Sequence, residues 1–448
     1  MWPYYPELLS QSVPRYTSYP TAAEFSPAVG SLAQETALAE VHADARLSLY
    51  VHIPFCHTIC WYCGCNTGAA GHAARRKTYV VALLREIEMI GARLQGRGQV
   101  LSIHFGGGSP NAVPVEDLAQ IVTALRKNFS GAQTALLDME LDPRTLDHSY
   151  IAALGALGLH RVSLGVQTFA PHVQKAVNRI QPFDMVKQCC AQLRAAGISA
   201  INFDLLYGLP HQSAQDIEDS IAKALSLAPD SFAVFGYAHM PSMIARQRAI
   251  DETALPSLDE RFAHSALAHQ LLVKAGYCAI GFDHFSKPED RLARAQAQGR
   301  LRRNFQGFTD DPSDVLIGLG ASAISDYGHV IIQNEKNSGH YGRHIMSGAL
   351  AAVRGVYRQK EDAMRADIIE QLLCHGHADL SNLSDKPNIW DDLAAELEAL
   401  EPFLTRGLVW CEEKTLRLHK QALPYARVVA AAFDAFRHHA ATRFSQAV

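Results

Sequence analysis

The chain has 448 residues, a net charge of −4 and 48% hydrophobic residues. That length accommodates two or three domains of ~100–200 residues, and the apolar content supports a sizeable core rather than a disordered chain. The slightly acidic balance, with no long basic run, excludes a general nucleic-acid footprint, and no stretch reaches the roughly 18 consecutive apolar residues of a membrane span.

The opening Met1-Trp2-Pro3-Tyr4-Tyr5-Pro6 lacks the basic-then-apolar order of a signal peptide. The expected compartment is the cytoplasm, where thiols stay reduced. Residues 1–47 read as an arm with prolines at 3, 6, 14, 20 and 27 and no clear period. Strands and helices then alternate. Residues 47–53 read as a strand, and 77–94 as a helix with Val80, Leu83, Leu84, Ile87 and Ile90 near one face. The series continues with strand 100–105, helix 115–129, strand 135–141, helix 148–157, strand 161–167, helix 183–195, strand 200–206, helix 214–227 and strand 232–237.

Six strands alternating with helices predict a parallel sheet with right-handed crossovers. No G-x-G-x-x-G follows the first strand, which weighs against a dinucleotide fold. The expected fold is α/β, a partial (β/α)6 TIM-like barrel. The expected units are 1–47 (arm), 48–345 (barrel and extension) and 346–448 (a small, mostly helical domain of winged-helix type). In the last, helical spacing runs through 367–373 and 393–404, a hairpin is expected at 408–418, and a final helix at 425–436.

A β/α barrel carries its chemistry at the C-terminal ends of its strands. Those ends read Gly106-Gly107-Gly108-Ser109, Glu140, Gln167, Asp204 and Tyr237-Ala238-His239, joined by the loop after strand one. Without a following Lys-Ser/Thr, the glycine run is no P-loop.

Four of the nine cysteines lie in that first loop, spaced Cys56-x3-Cys60-x2-Cys63-x-Cys65. Thiolates are soft ligands that suit iron–sulfur clusters and zinc. Structural zinc usually draws four ligands from two separated knuckles. One short loop without a second pair favours a cluster, with zinc as the alternative. Three thiolates on a four-iron cluster leave one iron open for a substrate. Cys189, Cys190, Cys278, Cys374 and Cys411 are scattered and read as small buried hydrophobes. His52, His104, His239 and His284 lie in or beside predicted strands and read as hydrogen-bonded core histidines.

The Cys-x3-Cys-x2-Cys loop after the first strand resembles that of radical S-adenosylmethionine enzymes. The wider string Tyr50-Val51-His52-Ile53-Pro54-Phe55-Cys56, with Gly64-Cys65-Asn66, is similar to one family, the oxygen-independent coproporphyrinogen III oxidases. The likeness extends through Arg15-Tyr16-Thr17-Ser18-Tyr19-Pro20-Thr21, Gly106-Gly107-Gly108, Gly165-Val166-Gln167, Asp204-Leu205-Leu206-Tyr207-Gly208-Leu209-Pro210, Tyr237-Ala238-His239, Asp283-His284-Phe285, Asn304-Phe305-Gln306-Gly307 and Ser322-Ala323-Ile324-Ser325.

This resemblance implies a [4Fe-4S] cluster on Cys56, Cys60 and Cys63, with Cys65 not a ligand. It implies two molecules of S-adenosylmethionine. Tyr50, Gly107, Glu140 and Ile324 match positions at the cluster-bound one. Tyr62, Gly108, Ser109, Gln167, Arg179, Asp204 and Ala238 match positions at the second. Tyr50, Glu140 and Arg15 are the catalytic candidates, Arg15 because a guanidinium fork fits a propionate. The implied reaction is oxidative decarboxylation of two propionates of coproporphyrinogen III to vinyl groups. A reduced flavodoxin- or ferredoxin-type donor, a monomer, and no nucleic-acid or membrane partner are expected.

Related haem-binding chaperones are the rival, together with another radical reaction on a tetrapyrrole. Those chaperones lack the arm string and the Gly64-Cys65-Asn66 continuation, both present here. Three departures from the family pattern stand out: Ser109 in place of threonine, Asn111-Ala112 in place of threonine–tyrosine, and Trp61 at a usually smaller position.

Overall fold

The computed structural model describes residues 2–381 and 393–437. The expected alternation is there. Numbering the strands of the main sheet in chain order, six carry the fold: β1 (Arg46–Ile53), β2 (Gln99–Gly107), β3 (Leu136–Leu141), β4 (Arg161–Gln167), β5 (Ala200–Tyr207) and β6 (Ser231–Gly236). Each pairs parallel with the next. Helices Ala73–Leu94, Val115–Asn128, His148–Ala156, Phe183–Ala195 and Ala214–Ser226 make the crossovers.

Period-two alternation decides which side chains face the helices. In β4, Val162, Leu164 and Val166 are fully buried, whereas Arg161, Ser163, Gly165 and Gln167 are only half-buried. The second set looks into the barrel. Ser163 Oγ donates to Asp204 Oδ2 at 2.9 Å, Asn202 Nδ2 to Asp204 Oδ1 at 2.8 Å, and Ser48 and Ser102 share a 2.8 Å bond. Most β/α barrels fill this space with branched apolar layers; here it is polar.

The sheet runs beyond the six strands foreseen. β7 (Cys278–Ile280) and β8 (His284–Ser286) add antiparallel at the β6 edge. β9 (Val315–Leu319) pairs parallel with β1, and β10 (Ile324–Asp326), β11 (Val330–Asn334) and β12 (Ala352–Tyr357) follow antiparallel. β1 and β6 therefore pair with added strands rather than with each other, and the barrel stays open inside a twelve-stranded sheet. β12, C-terminal to residue 345, belongs to this same sheet.

The arm does not lack a core. Leu8, Leu9, Val13, Tyr16 and Tyr19 are buried in the main cluster, and Ser31–Glu40 is a helix. Tyr16 donates its hydroxyl to Asp434 Oδ2 at 2.9 Å, and Tyr425 donates to the Pro3 carbonyl at 2.6 Å. The Tyr19 hydroxyl accepts from Ala435 N at 3.0 Å. The final helix expected at 425–436 is shorter. A 3-10 turn, Lys420–Tyr425, precedes α-helix Ala426–Ala430 and a second 3-10 turn, Ala431–Phe433. Pro424 offers no N–H to an α-helical bond. Residues 382–392 and 438–448 of the expected C-terminal unit lie outside the described residues.

One buried carboxylate ties helix Ala73–Leu94 to the added strands. Glu86 is fully buried and accepts from Gly320 N at 2.6 Å, Tyr341 Oη at 2.8 Å and Asn334 Nδ2 at 2.9 Å. Burial outweighs these donors and pushes the carboxyl up to about 7 from its usual 4.5. The folded chain thus binds a proton that the unfolded chain releases. That stabilisation is full below about 4.5 and is lost as pH rises through about 7. Glu86→Gln should remove the dependence, a difference of roughly 3 kcal/mol at full ionisation. The check is thermal unfolding of both proteins from about pH 5 to about pH 8. The gap should move steadily in the variant's favour; a constant gap refutes the assignment.

Candidate active site

The loop after β1 is fastened at both ends. Phe55–Cys56 pairs with Gly68–Ala69, and Ala70 N donates to the Cys56 carbonyl at 2.8 Å. Trp61 N donates to Val177 O at 3.1 Å and Asn178 Nδ2 to Ile59 O at 2.9 Å, which anchors the centre. The unusually large Trp61 packs with Tyr62 against Val173, Leu209 and Tyr237.

Donors aim at each of the three sulfurs. Thr67 Oγ1 lies 3.3 Å from Cys56 Sγ, and Cys65 N lies 3.4 Å from Cys63 Sγ. Arg179 Nη1 and Arg144 Nη2 lie 3.4 and 3.5 Å from Cys60 Sγ. Hydrogen bonds and nearby cations stabilise thiolate over thiol, the form that binds iron. The donor set therefore fits a cluster. Among the described residues no group of three His, Cys, Asp or Glu converges tightly enough for a single ion. Ligands that each take a different iron need not converge on one point.

Both arginines are held by Asp142. Arg144 Nη2 lies 2.6 Å and Arg179 Nη2 3.5 Å from its carboxylate. Asn111 sets this carboxylate's backbone: Asp142 N donates to Asn111 Oδ1 at 3.0 Å, and Asn111 Nδ2 donates to Asp142 O at 3.0 Å. Ser109 Oγ donates to Asn111 Oδ1 at 2.7 Å. The departures at 109 and 111 thus form one buried lock.

Glu140 ends β3 beside the glycine run. A Cβ on Gly106 would lie 2.9 Å from Glu140 Cδ, so only glycine admits the carboxylate there. Gly107 has φ +110°, and its Cβ would strike the His52 ring at 2.5 Å. Glu140 Oε1 lies 3.2 Å from His104 Nε2. Burial pushes the Glu140 carboxyl up, but the His104 bond and Gly107 N–H outweigh it and hold the group below its usual range. The His104 ring stacks with Tyr50 at 6.1 Å, and Phe305 meets Tyr50 edge-on at 4.6 Å. Tyr50 Oη lies 3.1 Å from His52 Nδ1, and His52 Nε2 lies 3.0 Å from Asn66 O.

Across the mouth, burial and then the Glu140 charge push Asp204 up to about 6. Gln167 sits at φ +65° in a β-bulge after Gly165. Such backbone strain in a non-glycine residue clusters at functional sites. The Ala238 carbonyl and the Tyr62 carbonyl both accept from Gln247 Nε2, at 3.0 and 2.8 Å. Ile324 is half-buried in β10, beside Ala323, which packs with Tyr50 and Leu316. Arg15 stands apart from Glu140 and the cysteines, donating Nη2 to Gly236 O at 2.9 Å where β6 ends. His104, expected as a hydrogen-bonded core histidine, is one, with Glu140 as its partner. Sequence reading missed the Asp142–Arg144 pair, which begins one residue past the end of β3.

An open parallel barrel with a three-thiol loop after its first strand and a glycine–glutamate cradle at its mouth defines the radical S-adenosylmethionine class, and that superfamily's model matches residues 50–224. The oxygen-independent coproporphyrinogen III oxidase of Bradyrhizobium diazoefficiens is 41% identical over 426 residues, 95% of each chain. The protein of that name from Escherichia coli K12 is 36% identical over 427 residues, 95% of this chain and 93% of its own. A solved structure of the Escherichia coli coproporphyrinogen III oxidase, a radical S-adenosylmethionine enzyme, superposes with a TM-score of 0.89. It is 34% identical and covers 95% of this chain and 100% of its own. The chain belongs to the oxygen-independent coproporphyrinogen III oxidase family. Membership brings a [4Fe-4S] cluster and S-adenosylmethionine as its cofactors.

Proposed function

We propose that this chain oxidises coproporphyrinogen III without oxygen, turning two propionates into vinyl groups and yielding protoporphyrinogen IX in haem biosynthesis. One observation carries the reading. The glycine run touches both parts of the site, Gly106 against Glu140 and Gly108 against Thr67, the donor to Cys56 Sγ, in a chain that matches oxidases of this name over almost its whole length. When bound, the cluster and S-adenosylmethionine would supply one-electron sulfonium cleavage and hydrogen abstraction from the propionate β-carbon, after which the carboxyl leaves as carbon dioxide and one electron passes to an acceptor.

The chain's own residues do the rest. Cys56, Cys60 and Cys63 hold three irons, and Cys65 does not. Tyr50, Gly107, Glu140 and Ile324 hold the first S-adenosylmethionine, with the ionised Glu140 Oε atoms accepting from its ammonium group. Tyr62, Gly108, Ser109, Gln167, Arg179, Asp204 and Ala238 line the place of a second. Tyr50, Phe305 and His104 wall the mouth and keep water from the reacting carbon. Arg15 offers its guanidinium to a substrate carboxylate. A reduced flavodoxin- or ferredoxin-type protein is the proposed electron source for a cytoplasmic monomer. Among the described residues no helix is long and apolar enough to cross a membrane.

The experiment is anaerobic incubation of the reconstituted protein with coproporphyrinogen III, S-adenosylmethionine and a reductant. Protoporphyrinogen IX should accumulate. S-adenosylmethionine cleavage with every propionate retained would defeat the substrate assignment.

A further inference from the structure

Four arginines from distant parts of the chain meet where β6 ends. Arg15 comes from the arm, Arg261 from helix Leu258–Lys274, Arg303 from strand Arg302–Asn304 and Arg427 from helix Ala426–Ala430. Arg15, Arg261 and Arg427 line a cavity of about 50 Å³ with Phe235, Phe282 and Asp283. Arg303 backs it, donating Nη2 to the Arg15 carbonyl at 3.1 Å. Aromatic faces hold the guanidinium groups in place. Arg15 lies 5.7 Å from the Phe235 centroid, and Arg303 and Arg427 lie 4.9 and 5.9 Å from that of Phe282.

Among the described residues, negative charge is short here. Asp283 is the one carboxylate lining the cavity among the described residues, and its Oδ1 already lies 2.6 Å from His284 Nδ1. Glu370, the next carboxylate towards Arg303, pairs with Arg302 at 3.1 Å and accepts from Arg303 N at 2.8 Å. Nε and Nη1 of Arg303 and Nε of Arg261 are buried without a hydrogen-bond partner among the described residues. Burial, reinforced by Arg15 and Arg303, pushes the Arg427 guanidinium down to about 10. The buried, unpartnered donors of Arg261 and Arg303 are costly until an anion completes them.

The shape of the pocket selects the anion. Guanidinium forks match a planar carboxylate two bonds at a time. A cavity of about 50 Å³ between Phe235 and Phe282 takes one carboxylate on an apolar stem. Glu140 ends β3, three strands from β6, a span on the order of 10–14 Å at ~4.8 Å per strand. A tetrapyrrole macrocycle bearing four propionates reaches across that distance. We propose that Arg15 and Arg261, with Arg303 behind them, bind one propionate that is not reacting and so fix which ring faces the mouth. The inference rests on the substrate proposed above. These arginines are positioning residues, since they touch a carboxylate far from the carbon that reacts.

The test is anaerobic titration of coproporphyrin III and its uncharged tetramethyl ester into the cluster-loaded protein. Binding is read from porphyrin fluorescence and compared with turnover of coproporphyrinogen III. The wild type should prefer the tetra-acid. Arg15→Met, Arg261→Met and Arg303→Met should each weaken tetra-acid binding by about tenfold or more and leave ester binding unchanged. Arg261→Lys and Arg303→Lys should recover part of the loss. In the Arg261 and Arg303 variants KM should rise while kcat, iron content and S-adenosylmethionine binding stay as in the wild type. The Arg15 side chain is exposed, so Arg15→Met keeps the test decisive if a buried variant fails to fold. Tetra-acid binding unchanged in every Met variant overturns the inference and leaves the substrate assignment standing. A wild type that binds neither porphyrin overturns both.

Discussion

Cys56→Ala, Cys60→Ala and Cys63→Ala should each abolish cluster assembly and all turnover, whereas Cys65→Ala should assemble about four irons and four sulfides per chain. The asymmetry has a structural cause. Each of the first three sulfurs has its own donor: Thr67 on Cys56, Arg144 and Arg179 on Cys60, and the Cys65 backbone on Cys63. Removing one thiol strands its donors and leaves two protein ligands for four irons. Cys65 acts on Cys63 through its thiol and through its backbone N–H at 3.4 Å; alanine loses the first and retains the second, and all three thiolates meant for the irons stay in place. Iron and sulfide analysis with electron paramagnetic resonance on the four anaerobically reconstituted variants decides it. A cluster at full occupancy in Cys60→Ala, or none in Cys65→Ala, contradicts the ligand assignment.

Glu140→Gln should cost roughly 1–3 kcal/mol of S-adenosylmethionine binding, the range for a hydrogen bond to a charged group. The substitution keeps the side chain's shape beside Gly106 and removes only its charge. His104, 3.2 Å from Oε1, holds the carboxylate ionised in the wild type. On the proposed assignment, the cofactor's ammonium group would then gain a full negative partner that glutamine cannot supply. Calorimetry should find two equivalents bound to the wild type. In the variant the site at Gly107 should weaken while the one near Arg179 is preserved. Equal affinity at both sites in Glu140→Gln would remove Glu140 from the cofactor cradle.

Local pattern made the six barrel strands legible. Each has an alternating or apolar run between turn residues, and the structure places them within about two residues of expectation. β7 to β12 escaped because they are three to six residues long and, β9 against β1 apart, pair antiparallel, without the helix that marks a crossover. The packing of the arm was hidden for another reason. Leu8, Leu9 and Tyr16 look coreless in a proline-rich stretch, but their partners lie some 400 residues away, as in the Tyr16–Asp434 bond.

The site divides the same way. Four cysteines in ten residues announce themselves, and Glu140 is found by standing at a strand end. His104 was legible as a hydrogen-bonded histidine but not as the partner of Glu140, and Asp142 did not announce itself, because these roles come from what the side chains touch. The arginine cluster was invisible beyond Arg15, since Arg261, Arg303 and Arg427 are brought to it only by the tertiary fold.

The most direct measurement is label transfer. Coproporphyrinogen III carrying deuterium at the propionate β-carbons is incubated anaerobically with the reconstituted protein, S-adenosylmethionine and reductant. The account predicts that 5′-deoxyadenosine recovered from the reaction carries deuterium and that vinyl groups form in step with it. Unlabelled 5′-deoxyadenosine alongside full recovery of the deuterated substrate would contradict it.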